Sequence, residues 1–173
     1  NSWHLRLDIL QPKNVVELGT GQGVGAVQIM ESLREDATFT TIQYDDGEPS
    51  HRTALSMWES DKRLHMLVAD TINPDTLKMV SDNVDLLFID STHEAWHAAE
   101  ELHLWQIKLV DKAVVVVDDM DQHDMMDFWH SIPYDRIGPV SGNWQGVFFY
   151  DAARPYTCSF DRPHKTTYGG SVR

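Results

Sequence analysis

The chain has a single cysteine, Cys158, in 173 residues, so no internal disulfide can form. Basic residues are scarce as well: 14 Lys and Arg stand against 27 Asp and Glu, for a net charge of −13. A surface this acidic is a poor partner for nucleic acid or for an anionic membrane, and neither is expected to bind. No apolar run reaches membrane-spanning length and no signal peptide is recognisable. Internal repeats, low-complexity tracts and a domain linker are missing too. These absences point to a reducing, cytoplasmic setting. The chain starts abruptly before its first predicted strand, and a preceding N-terminal segment in a longer parent is expected. The rest of the composition is that of a globular protein, 42% hydrophobic and 24% charged, with the length of one domain and enough chain to bury a core.

Strands and helices alternate along the chain. Apolar runs predict strands at 14–18, 39–44, 64–69, 84–90 and 113–117, with helices over about 25–34, 49–62, 74–81, 94–109 and 121–130 between and after them. A first helical turn ends before Pro12. The runs at 84–90 and 113–117 are almost continuously apolar, as strands buried on both faces should be. Beyond residue 130 the alternation stops. A weak strand over 134–140 and a stronger one over 146–150 are expected, with an irregular tail over 151–173. The reading is an α/β fold: a doubly wound, mostly parallel Rossmann-like sheet with helices on both faces and an antiparallel C-terminal strand. Residues 1–150 form the working domain and 151–173 its tail.

Ligands of such sheets bind beyond the carboxyl ends of the strands. Six acids fall there: Glu17, Asp45, Asp70, Asp90, Asp118 and Asp119. The first strand ends in Glu17-Leu-Gly19-Thr20-Gly21-Gln-Gly23 and runs into a helix. Glycines let the backbone approach a ligand closely, and a helix N-terminus offers free N–H groups and partial positive charge. Glu17 would repel a pyrophosphate and attract a cationic or hydroxyl-bearing ligand, which favours S-adenosylmethionine over a dinucleotide. The pattern Gly21-x-Gly23-x-x-Ala26 nonetheless also fits a relaxed dinucleotide turn, so a nicotinamide-dependent oxidoreductase stays open. Asp45 and Asp46, about 20 residues past the glycines, suit a ribose hydroxyl pair, or alternatively a solvated Asp-Asp-Gly turn. Three carboxylates on neighbouring strand ends, Asp90, Asp118 and Asp119, repel one another unless a cation lies between them, and magnesium is the usual cellular candidate. One of Asp118 and Asp119 could instead cap the following helix. His93, three residues past Asp90, could accept a proton near neutral pH, or stand exposed at a helix start.

Glu17-x-Gly19-x-Gly21-x-Gly23 resembles the first motif of class I S-adenosylmethionine-dependent methyltransferases. Ile89-Asp90-Ser-Thr-His93, Glu101-Leu-His-Leu-Trp105 and Val117-Asp118-Asp119 resemble the metal-dependent O-methyltransferases of the macrocin and catechol O-methyltransferase types, over about residues 14–120. That resemblance implies Glu17, Gly19, Thr20, Gly21, Gly23, Asp45, Asp46 and Asp70 as cofactor-binding residues, Asp70 meeting the adenine amino group; the alternative for Asp70 is a helix or turn cap before Asn73-Pro74. It implies Asp90, Asp118 and Asp119 as metal ligands, His93 and Asp90 as catalytic residues, and a small hydroxylated substrate such as a sugar or natural product. The chain departs from the pattern at Val110-Asp-Lys-Ala113, where Gly-Gly is usual, and in having no long N-terminal extension to cover substrate. A domain that keeps the fold without catalysis is the alternative.

His93-Glu94-Ala-Trp-His97 also spells the His-Glu-x-x-His of zinc proteases. It opens a helix straight after a buried strand and no third ligand follows at a standard spacing, so His97 reads as a partly exposed helix residue. Trp96, Trp105 and Trp129 read as packing residues and Trp144 as a substrate wall.

Overall fold

The structure is a computed structural model that describes residues 7–45, 54–139 and 144–162. Its strands are β1 (Asn14–Leu18), β2 (Thr38–Gln43), β3 (Leu64–Val68), β4 (Val84–Ile89), β5 (Leu109–Val117), β6 (Arg136–Ile137) and β7 (Gly146–Phe149). Its helices are α1 (Leu7–Leu10), α2 (Val24–Ser32), α3 (Pro74–Leu77), α4 (Ala95–Trp105) and α5 (Met125–Ser131). One seven-stranded sheet runs in the order β3-β2-β1-β4-β5-β7-β6. β3, β2, β1, β4 and β5 are parallel, and β7 lies antiparallel between β5 and β6. The fold is therefore the expected doubly wound one, with an antiparallel C-terminal strand.

Successive strand residues face opposite sides, and the core divides accordingly. Val15, Phe39, Leu86 and Val116 pack against Ala26, Ile29 and Met30 of α2 on one face. Val16, Leu18, Leu87, Ile89 and Val115 pack against Ala98, Leu102 and Trp105 of α4 and Phe128 and Trp129 of α5 on the other. Trp105 and Trp129 are thus core residues. The indole Nε1 of Trp105 donates to the Thr71 carbonyl at 2.8 Å, which removes the cost of burying that N–H.

Several elements differ in extent from their sequence reading. β5 begins at Leu109 rather than Ala113, because Leu109 pairs with Val84 ahead of a register shift. α4 begins at Ala95, and His93 has φ 53°, outside helical geometry. Asp119 and His123 also have positive φ (48° and 44°), so the chain after β5 turns before α5 forms at Met125. The helix expected over 49–62 falls partly outside the described residues; what is described holds Leu55, fully buried, and a 3-10 turn at Ser56–Trp58. The 151–162 part of the tail contains no helix or strand. Among the described residues no helix is long and apolar enough to cross a membrane.

Between β1 and β4 the winding reverses, and this switch point opens a crevice at the strand ends. Main-chain bonds extend the ladder one step past the strands there. Gly19 N donates to Ile42 O at 2.9 Å, Asp90 N to Leu18 O at 2.9 Å, and Asp118 N to Ile89 O at 3.1 Å. They set Gly19, Asp90 and Asp118 along one rim. Gly19 (φ 99°) passes so close to β4 that a Cβ there would lie 2.0 Å from the Asp90 carbonyl oxygen. Gly19→Ala should therefore destabilise the chain by about 2–4 kcal/mol through backbone strain and overpacking together. Urea denaturation measures this, and an unchanged midpoint would refute the close approach.

Candidate functional site

Gly19, Gly21 and Gly23 all have positive φ (99°, 49° and 79°), which carries the chain out of β1 and into α2 in a tight turn. Gly23 is the N-cap of α2 and supplies no side chain to the first helical N–H groups. They remain available to a polar ligand. The turn is held from β2: Gln43 Oε1 accepts from Thr20 N at 3.1 Å and from Gly21 N at 3.0 Å. Nothing in the sequence marks Gln43, since an amide at a strand end has no motif of its own.

Glu17 is 2% exposed. Thr41 Oγ1 donates to Glu17 Oε2 at 2.5 Å and lies 2.7 Å from Thr20 Oγ1, in a short buried chain of hydroxyls. Burial lifts the Glu17 pKa to about 8, against the lowering bond from Thr41 and with repulsion from Asp90. The carboxyl is thus protonated at neutral pH in the ligand-free chain. This corrects the expected role of Glu17 as a standing negative charge. Its Oε1 would lie 2.9 Å from a Cβ on Gly25, so Gly25 is small because the carboxyl fills the space beside it.

Two cavities meet at this rim. The larger, about 400 Å³, is lined by Gly19, Thr20, Gly21, Gln43, Asp70 and His97 among others. The smaller, about 250 Å³, is lined by Glu17, Gln28, Ser32, Asp118 and Gln145 among others. Val24, Gly25 and Asp90 border both. Asp70 lies in the larger cavity, with Oδ1 accepting from Ile72 N at 3.0 Å. Asp45 is solvent-exposed and outside the lining of that cavity, where Gln43 and Tyr44 stand instead. Asp46 lies outside the described residues. Trp144 is 39% exposed, and it is Gln145 that lines the smaller cavity.

Asp90, His93 and Asp119 form a group whose ligand-type atoms lie within 4.8 Å of one another. His93 Nε2 is 3.0 Å from Asp90 Oδ1 and 3.6 Å from Asp119 Oδ2. The left-handed backbone at His93 turns the imidazole back onto these carboxylates rather than out into water. Asp118, expected in the metal set, is not in this group. It lines the smaller cavity, and its Oδ1 accepts from Asp119 N at 2.9 Å. Neither Asp118 nor Asp119 caps α5, whose N-cap is Asp124. Asp124 in turn receives the Ala95 N–H at 2.8 Å and so fixes the start of α4. Burial raises the Asp90 pKa against the lowering bond from His93, with Asp118 and Asp119 adding repulsion. Burial and Asp118 likewise raise Asp119. The bond to Asp90 raises His93, against a lowering from burial. Two carboxyls held in less charged form around one imidazole is the state of a site that gains from a cation.

His97 is 7% exposed, not partly exposed as expected, because α4 turns it under the rim. Glu101, one turn on, is fully buried and accepts from Thr71 Oγ1 at 2.5 Å and Ser91 Oγ at 2.9 Å. No protease-like pair of imidazoles results: among the described residues His97 is outside the only metal-type group.

The Glu17 carboxyl makes stability pH-dependent. Its folded pKa of about 8 exceeds the ordinary glutamate value of 4.5, so the folded chain holds a proton that the unfolded chain has released between those limits. This group's contribution should fall as pH rises from 4.5 to 8 and level off above. Glu17→Gln should flatten that part of the pH profile, as read by urea denaturation at several pH values; an unaltered slope would contradict the protonated state.

Comparison with known proteins agrees with the geometry. A family model described as a methyltransferase domain matches residues 16–120. A provisionally named O-methyltransferase of Mycobacteroides abscessus is 31% identical over 83 residues, 46% of this chain and 37% of the relative. Another, from Mycobacterium sp. strain KMS, is 29% identical over 87 residues, 48% of this chain and 38% of the relative. The chain thus spans under two fifths of these curated relatives' length. Among solved structures, the O-methyltransferase TomG of Streptomyces achromogenes, involved in tomaymycin synthesis and in complex with SAM, superposes with a TM-score of 0.67 at 18% identity, covering 84% of this chain and 76% of that one. The SAH-bound methyltransferase PaMTH1 of Podospora anserina gives 0.68 at 18% identity, covering 86% and 76%. At that identity they speak for the fold. The family match covers most of the chain, including the glycine turn, the switch point and the acid pair after β5, and on it this chain belongs to the methyltransferase-domain family.

Proposed function

We propose that this chain is the S-adenosylmethionine-binding core of an O-methyltransferase that methylates a hydroxyl group of a small molecule, a sugar or natural product, with the help of a divalent cation. The observation that carries this reading is the meeting of two features on one rim. The Gly19–Gly23 turn and the Asp90–His93–Asp119 group are joined through the Asp90 N–H to Leu18 carbonyl bond of 2.9 Å. A methyl donor and a hydroxyl acceptor could therefore lie side by side, and most of the catalysis would be positioning.

In this reading the free N–H groups at the start of α2 and the glycine turn receive the polar end of the donor. Asp70 takes its adenine, and Gln43 and Tyr44, which line the cavity where Asp45 and Asp46 were expected, face its ribose. Asp90 and Asp119, with Asp118 beside them, would hold the cation. Their clustered oxygens suit a hard ion such as magnesium. When bound, the cation would lower the pKa of a hydroxyl it touches. His93 accepts the hydroxyl proton, the oxygen bonds to the methyl carbon, and the carbon–sulfur bond breaks to release S-adenosylhomocysteine. The smaller cavity, with Gln28, Ser32 and Gln145, supplies polar groups for the acceptor molecule.

Calorimetry with S-adenosylmethionine and S-adenosylhomocysteine, with and without magnesium, tests donor binding; no heat in any combination would sink the reading. Methyl transfer to a panel of hydroxylated compounds tests the rest. His93→Ala should lower kcat by about 10²–10⁴-fold while leaving S-adenosylhomocysteine affinity intact. Asp90→Asn and Asp119→Asn should abolish the response to magnesium. Donor binding with no transfer across the panel would favour a non-catalytic role.

A further inference from the structure

Bordering the larger cavity lies a buried polar network that the proposed reaction does not use. Glu101 accepts from the Thr71 and Ser91 hydroxyls through its two oxygens, at 2.5 and 2.9 Å. His97 Nδ1 is 3.2 Å from Ser91 Oγ and 3.4 Å from Glu101 Oε1. Since Ser91 spends its hydroxyl proton on Glu101, Nδ1 must carry the hydrogen in both contacts. That assigns the tautomer. The neutral ring then presents a bare Nε2, an acceptor, and His97 also lines the cavity that holds Asp70. Asp70 Oδ1 is engaged by the Ile72 N–H, which leaves its other oxygen as a second acceptor.

Two acceptors in one cavity call for a ligand group with two hydrogens to give. On an adenine base attached through its sugar, the exocyclic 6-amino group is the only N–H donor. We propose that His97 is a specificity residue for the base of the methyl donor: its Nε2 accepts one hydrogen of the 6-amino group, and Glu101 with Ser91 is the positioning pair that keeps it an acceptor. Burying an acceptor that only the amino form satisfies rejects a base carrying a carbonyl at that position. The inference rests on the S-adenosylmethionine reading above and adds the residue that recognises the base.

Protonation would turn Nε2 into a donor. The charged groups near the ring are Glu101 and Glu94 on its own helix and Asp70 after β3; burial lowers its basicity, and the bond to Glu101 with these charges carries it above the ordinary imidazole value. The preference for an amino group should accordingly weaken on acidification.

The probes are S-adenosylhomocysteine and its deaminated analogue S-inosylhomocysteine, titrated into the full chain by calorimetry. The variant His97→Asn keeps an amide nitrogen near the Nδ1 position and deletes Nε2. At about pH 8, below the range in which the hypoxanthine N1–H ionises, the preference for the amino form should be about tenfold larger in the wild type than in His97→Asn, the worth of one hydrogen bond. In the wild type that preference should shrink between about pH 8 and pH 6, and in His97→Asn it should stay level. A folded His97→Asn chain with the wild-type preference would overturn the proposal. If that variant does not fold, the wild type decides, since a preference flat across the same pH range would overturn it equally. Failure of S-adenosylhomocysteine to bind the wild type at all would instead remove the parent reading, and this inference with it.

Discussion

The backbone of Gly19 lies directly against the Asp90 carbonyl, closer than any side chain would permit. This contact joins the exits of β1 and β4 at the point where the sheet reverses its winding. The glycine turn, the acid cluster and both cavities are arranged around it. The chain reaches this approach by burying both faces of β1 and β4 completely or nearly so, which leaves the ladder no freedom to shear. Parallel strands covered by helices on both sides are rigid, and the rim inherits that rigidity.

The electrostatics of the rim follow from the same packing. A chain of net charge −13 has no shortage of solvated carboxylates on its outer surface. The rim acids differ because strands buried on both faces end where solvent thins out. Glu17 pays most heavily in desolvation and holds its proton; Asp90 and Asp119 share the field of one imidazole. Gln43, neutral and able to accept two N–H bonds, stands where a further carboxylate would have added to the repulsion. A site built in this way is strained in charge as well as at the left-handed backbone of His93 and Asp119, and a cationic donor and a divalent ion would both relieve the charge.

Much of the fold is legible in the order of residues. The apolar runs at 84–90 and 113–117 could be little else than central strands, and they are β4 and the inner half of β5. The glycines at 19, 21 and 23 announce a turn that needs positive φ, and all three have it. Boundaries were less legible where one partner decides them. β5 extends back to Leu109 through pairing with Val84, and no local pattern reveals a partner 25 positions upstream. Asp124 and Ala95 present the same difficulty, for a cap donated from a distant turn has no spacing rule.

Side-chain direction is not written in the order of residues. Residue type and strand position bring Asp90, Asp118 and Asp119 to one edge, but the turn after β5 sends Asp119 toward His93 and Asp118 toward the smaller cavity. His97 sat in a motif that suggested zinc and proved to be a buried partner of Glu101, a pairing that depends on Ser91 and Thr71 arriving from two other strand ends. Hydrophobic periodicity and glycine placement act locally, so the chain alone determined a doubly wound sheet and the acidic character of its rim. The protonated Glu17, the grouping of the acids and the setting of His97 arise from contacts between residues remote in the chain, and only the packed sheet could decide them.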